Sequence, residues 1–139
     1  METGEEVMKC LDTSVLIDLT RDVPGPVRAI EAAIAEGAVT TELNAFELYA
    51  GVHERGRPVP RALDAVERIL RRMDVLPLNR RASLRGAEIA SLLRSRGQDV
   101  GGLDVLIAAI ALSHGIDTIV TEDASDFRRI PGLRVETYR

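Results

Sequence analysis

The strongest constraint on this chain is an alternation. Short apolar runs at Val7 to Leu11, Ala38 to Thr40, Val75 to Leu78, Thr118 to Thr121 and Leu133 to Glu136 are too brief for helices and suit buried strands. Between them lie stretches with helical periodicity, around Ser14 to Leu19, Val27 to Glu36, Glu42 to His53, Arg61 to Met73, Arg80 to Arg96 and Leu103 to His114. Gly37, Gly97 and Gly115 each follow a helical run where a left-handed cap is wanted, and the Arg57 to Pro60 segment, "RPVP", separates the third helix from the fourth. Strand alternating with helix implies an α/β fold with a mainly parallel, doubly wound sheet.

The 139 residues suit one domain with a full core. No repeat, low-complexity tract or long linker divides them, so a single domain is expected over residues 7–139, after a flexible extension at residues 1–6. The opening "METGEEVMKC" has acids where a secretory leader needs a basic and then an apolar region. The longest apolar run, Val105 to Leu112, is too short to span a bilayer, so the expected location is the cytoplasm, with no membrane contact. The lone cysteine, Cys10, lies within the first apolar run and is expected to pack as a small hydrophobe. A net charge of −4 lacks the strongly basic footprint of a protein that holds nucleic acid by charge alone. The arginine pairs at 71 and 72, 80 and 81, 94 and 96, and 128 and 129 read as solvated helix faces, some of them available to phosphates.

In a β-α unit the carboxyl end of the strand and the amino end of the next helix share one edge of the sheet, where ligands bind in open α/β folds. Asp12 ends the first strand, Glu47 lies in the second turn of the helix after the second, Asp104 opens the helix before the fourth, and Asp123 follows the fourth. All four are therefore expected on one edge. Each also has a structural reading. Asp12 and Asp104 could each be a helix N-cap, and Asp123 could simply organise a turn. At about 100° per residue Glu47 falls beside Leu43, Phe46 and Ala50, a side expected to face the core. Glu42 merely complements a helix dipole after a Thr41 cap. Asp126 and Asp99 are second-rank candidates, closer to turn or surface positions.

Four carboxylates on one edge repel one another unless a cation lies among them, and oxygen-only ligation selects Mg²⁺, with Mn²⁺ as the alternative. Zinc would want Cys or His at ligand spacing, and His53 and His114 each sit near a helix end, where a cation is favourable for stability alone. Mg²⁺ held by carboxylates points to phosphoryl chemistry.

Together "LDTSVLID", "TTELNAFELYAG", "DVLPLN", "RSRG" and above all "DVLIAAIALSHGIDTIVTEDASDFRRIPGLRVE" resemble the PIN-domain ribonucleases, specifically the VapC-like toxins of toxin-antitoxin pairs. The resemblance covers nearly the whole chain and leaves out "METGEE". It implies a three-layer α/β/α fold with a five-stranded parallel sheet in the order 3-2-1-4-5. It also implies a Mg²⁺-dependent endoribonuclease acting on RNA, inhibited by a cognate antitoxin and assembled as a homodimer. Residue by residue, the family's acids fall on Asp12, Glu47, Asp104 and Asp123, with Asp126 competing for the last place. Ser14 and Thr121 match supporting hydroxyls, for which helix capping and strand-end hydrogen bonding are equally good readings.

A response-regulator receiver would need a lysine near the end of the last strand, and none follows Lys9. A haloacid-dehalogenase-type phosphatase would need an aspartate where Ser14 stands. A non-catalytic PIN-like module that binds RNA or a partner is the remaining alternative, and the presence of all four acids argues against it.

Overall fold

The structure is a computed structural model that describes residues 8–21, 25–54 and 59–138. The expected extension at residues 1–6, and with it the domain boundary, lies outside the described residues, as do Val7, Arg57 and Pro58. In chain order the elements are β1 (Lys9–Leu11), α1 (Thr13–Thr20), α2 (Pro26–Ala35), β2 (Val39–Thr41), α3 (Glu42–Glu54), α4 (Val59–Leu70), β3 (Asp74–Leu76), α5 (Arg80–Ser95), α6 (Gly102–Ser113), β4 (Thr118–Val120), α7 (Ala124–Phe127) and β5 (Arg134–Glu136). The strands form one sheet in the order β3-β2-β1-β4-β5, every neighbouring pair parallel. Both the class and the strand order agree with the expectation.

Strand alternation divides the core into two layers. Cys10 and its partner Ile119 face one side of the sheet, where they meet Ile89, Leu93, Ile107 and Phe127 from α5, α6 and α7. Leu11 and its partner Val120 face the other, against Val15, Ile30, Leu48 and Ile69 from α1 to α4. Cys10 is fully buried, and burial pushes its thiol up to about 12, so it behaves as the expected small hydrophobe. The apolar run of α6 is buried from Ile107 through Ala111, and α5 packs closely on it. Gly86 makes that approach possible: a Cβ there would meet the Leu106 Cδ2 at 3.0 Å. Glycines 37, 97 and 115 terminate their helices with φ of 94°, 68° and 75°, the left-handed cap read from their positions.

Several boundaries differ from expectation. β1, β3, β4 and β5 are three residues each and shorter than the matching apolar runs, while β2 keeps the expected length one residue further on. Thr121 lies just beyond β4 and Thr41 closes β2, which puts both hydroxyls at the carboxyl edge rather than inside the sheet. The α7 turn was not expected, since four residues carry no readable helical period. No helix among the described residues is long and apolar enough to cross a membrane.

Candidate active site

At the carboxyl edge, β1 and β4 are joined by a bond from the Asp12 amide to the Val120 carbonyl at 2.9 Å, and β1 and β2 by one from Thr40 Oγ1 to the Leu11 carbonyl at 2.8 Å. These bonds fix Asp12 between the strands. Its side chain is 7% exposed. Asp12 is the N-cap residue of α1, its carbonyl accepting from the Val15 and Leu16 amides, but its carboxylate makes no capping bond. The carboxylate is held sideways instead. Asn44 Nδ2 donates to Oδ1 at 3.1 Å; Thr121 Oγ1 at 2.8 Å and Ser14 Oγ at 3.4 Å donate to Oδ2. Burial raises the Asp12 pKa above its ordinary value, and the bonds from Thr121, the Thr13 amide, Asn44 and Ser14 pull against it without cancelling it.

Ser14 and Thr121 therefore do more than cap or end a strand. Ser14 Oγ accepts from the Glu122 amide at 2.9 Å, and Thr121 Oγ1 accepts from the Asp123 amide at 3.0 Å. Both hydroxyls thus link the loop after β4 to the buried acid.

Asp104 stands on α6, whose N-cap is Gly101, so it is the third helical residue rather than the cap. No hydrogen bond to its carboxylate is found among the described residues. Its pKa is pushed up to about 6, first by loss of solvent and then by the charges of Asp12, Asp126, Glu47 and Asp123, in that order. That set of neighbours brings acids from β1, α3, α6 and the β4–α7 segment to one place. Asp99 is not among them; it is exposed in the loop before α6 and lines a shallow hollow with Arg94 and Gln98. Asp126 is half-buried while Asp123 is exposed, and Asp126 raises Asp104 more.

Glu47 differs from expectation in its surroundings. The side of α3 carrying Leu43, Glu47 and Ala50 is only half-buried, and Phe46 is 59% exposed. The buried face carries Asn44, Ala45, Leu48 and Val52. Glu47 lies at the border between the two, accepting from Thr13 Oγ1 at 2.5 Å. Two contributors escaped the reading of the sequence. Thr13 and Asn44, the latter with 0% exposure, connect Glu47 to Asp12, and Asn44 Nδ2 also donates to Thr13 Oγ1 at 3.0 Å. Glu42 is exposed in the first turn of α3, and Thr41 Oγ1 accepts from the Leu43 and Asn44 amides at 3.1 and 3.2 Å, the cap expected of it.

The donor set is all oxygen, which fits a hard divalent cation and not zinc; both histidines are exposed at helix ends. Among the described residues no three Asp, Glu, His or Cys side chains stand close enough together to hold an ion as they are placed. What links these acids is the effect of their charge on Asp104.

Comparison with known proteins gives the same direction. The PIN domain family pattern matches residues 9–133. The tRNA(fMet)-specific endonuclease VapC of Salmonella typhimurium (strain LT2) is 30% identical over 128 residues, which is 92% of this chain and 96% of the relative. Ribonuclease VapC2 of Haemophilus influenzae is 26% identical over the same shares. Among solved structures, DNA-bound VapBC from Salmonella typhimurium superimposes with a TM-score of 0.85 at 28% identity, covering 96% of this chain and 99% of that one. VapBC2 from Rickettsia felis, bound to a DNA fragment from the promoter, gives 0.86 at 20% identity over 96% and 100%, a likeness of fold. With the family pattern spanning nearly all of its strands and a relative at 30% identity over almost its full length, the chain belongs to the PIN-domain family as a VapC-like member.

Proposed function

We propose that this chain is a divalent-metal-dependent endoribonuclease acting as the toxin of a type II toxin-antitoxin pair. Its relatives named as VapC ribonucleases support the activity. The observation that supports metal dependence is that Asp104, raised first by loss of solvent, is raised further by four acids from the end of β1, α3 and the β4–α7 segment. Such a concentration of negative charge is unfavourable for a resting protein and useful for one that takes up a cation. Asp12, Asp104 and Asp123 would hold Mg²⁺, or Mn²⁺, while Glu47 either completes that set or orients the attacking water; Asp126 competes with Asp123. The chemistry a divalent ion supplies in such a site is activation of water and neutralisation of the scissile phosphate. The chain's own contribution is to keep Asp12 ionisable though buried, through the bonds from Asn44, Thr121 and Ser14.

The partner is an antitoxin, by analogy with the VapBC complexes among the structural neighbours. A groove of about 220 Å³ between α1, α3 and α4, lined by Ile17, Leu48, Val52, Ala62 and Val66 and touched by Glu47, suits an apolar helix or extended segment. A basic side chain at the end of such a segment would meet the acidic edge. We also take the working form to be a homodimer in the cytoplasm.

The test is incubation of the purified chain and its Asp12→Asn variant with total cellular RNA, initiator tRNA included, in Mg²⁺ or in chelator. Discrete fragments are expected from the unmutated chain in Mg²⁺ alone. Cutting in chelator, or full activity of the variant, would overturn the proposal, and RNA binding without cutting would favour the non-catalytic module.

A further inference from the structure

The bonds around Asn44 run in one direction only. Thr41 Oγ1 accepts from two backbone amides, Leu43 and Asn44, so its own proton goes to Asn44 Oδ1 at 2.8 Å. That bond sets the orientation of the Asn44 amide, whose oxygen faces Thr41 and whose nitrogen faces the site. The NH₂ group has two protons and two acceptors, Asp12 Oδ1 at 3.1 Å and Thr13 Oγ1 at 3.0 Å. Thr13 Oγ1, occupied as an acceptor, sends its proton to Glu47 Oε1 at 2.5 Å. From the amino end of α3 to Glu47, every step is determined by the one before it, and no buried side-chain nitrogen or oxygen among the described residues is left without a partner.

We propose that Asn44 and Thr13 are positioning residues that hold the carboxylates of Asp12 and Glu47 in a fixed relative geometry, through a one-way hydrogen-bond relay anchored at Thr41. The proposal rests on the nuclease reading for its functional meaning. Asn44 and Thr13 together span the two acids, Asn44 reaching Asp12 directly and Glu47 through Thr13. Without the relay Glu47, on the half-exposed border of α3, would be free to adopt other rotamers in solvent, at a cost in alignment that its helix alone cannot prevent. A threonine hydroxyl is suited to this place because it both accepts and donates. A valine of the same shape can do neither.

Two independent measurements test it. In the metal-free, unmutated protein, nuclear magnetic resonance should find both Asn44 side-chain amide protons protected from solvent exchange. Thr13→Val should release one of them, and Thr13→Ser should keep both. In cleavage assays Thr13→Val should lose about 10- to 100-fold, the usual cost of removing a support one step behind a functional group. Thr13→Ser should stay within about threefold, and Thr13→Val should cost little more when Glu47→Gln is already present, since both act through one group. Freely exchanging amide protons in the unmutated chain would overturn the relay, and so would a fully active Thr13→Val or a loss that simply multiplies with that of Glu47→Gln. If the unmutated chain cuts no RNA in Mg²⁺, the nuclease reading fails, and the amide protons still decide the relay without any variant having to fold.

Discussion

The two walls of the acidic edge are built on opposite principles. On one, Asp12 is buried and surrounded by donors that the fold supplies from α1, α3 and the end of β4. On the other stand Asp104 of α6, Asp126 of the α7 turn and Asp123 just before it, and there desolvation and then negative charge raise Asp104, with Asp12 across the edge contributing the most of any acid. One wall is stabilised by its own hydrogen bonds before any ligand arrives. On the other, Asp104 is raised by loss of solvent and by like charge. On the proposed reading of a cation site this division would be useful, because the first wall would preserve geometry and the second would favour uptake.

The sharpest way to break this contrast is to neutralise one acid on each wall. Both Asp12→Asn and Asp104→Asn are expected to lower cleavage by more than the roughly 10- to 100-fold that loss of an outer support costs. Their effects on the metal-free fold should have opposite signs. At Asp12 an amide NH₂ would face the Asn44 or Thr121 donor, and that mismatch should destabilise by about 1–3 kcal/mol. At Asp104 the substitution removes a charge that four others repel, and stability should rise. Urea unfolding of both variants in chelator checks the pair. A shared sign would show that the walls are not different in kind.

The pH dependence of the metal-free protein sharpens the same point. Asp104 ordinarily titrates near 3.8 and here near 6, so between these values the folded state holds a proton that the unfolded chain has released. Its contribution is fully present below about pH 4 and is lost as pH rises through about 6. Asp12, also raised, acts in the same sense. Because Asp104 is partly exposed, the loss should be only about 1 kcal/mol after allowance for solvent screening. Unfolding in chelator at a series of pH values should show the decline, and Asp104→Asn should flatten it. A rise in stability over this interval in the unmutated chain, steeper than in the variant, would contradict the account.

How much of this was legible beforehand follows from which signals are local. The period-two alternation of Cys10 and Leu11 across two apolar layers and the buried run Ile107 to Ala111 are written in short stretches of chain, and the fold follows from them. The convergence of Asp12, Glu47 and Asp104 could be argued from topology, because parallel strands bring their carboxyl ends to one edge. Asn44 could not be singled out in this way. Inside a helical stretch it reads as a weak helix former, and its role exists only because β1 and β2 are adjacent, which brings Asp12 and Thr13 against the buried face of α3. The available clue was the spacing of Thr41, Asn44 and Glu47, three residues apart each time, which sets Asn44 and Glu47 about one turn apart behind a Thr41 cap. Phe46 was misjudged for a related reason: its angular proximity to Glu47 suggested core, but the helix turns its opposite side to the sheet.

The smallest expected effect concerns which acid of the "EDASDF" segment belongs to the second wall. Asp126 raises Asp104 more than Asp123 does, although the Asp123 amide donates to Thr121 Oγ1 and Asp123 is the position to which the family resemblance points. Asp126 also has a weak counter-ion, Arg129 at 3.9 Å, that does not prevent its influence. In metal-free protein, Asp126→Asn should lower the Asp104 pKa by about half a unit, as expected for a charge several ångströms away through a solvent-like medium. Asp123→Asn should lower it by less. Carboxyl-carbon resonance titrations of Asp104 in the two variants give the comparison directly. The reverse order would make Asp123 the stronger influence on Asp104 and leave Asp126 as a residue paired with its arginine.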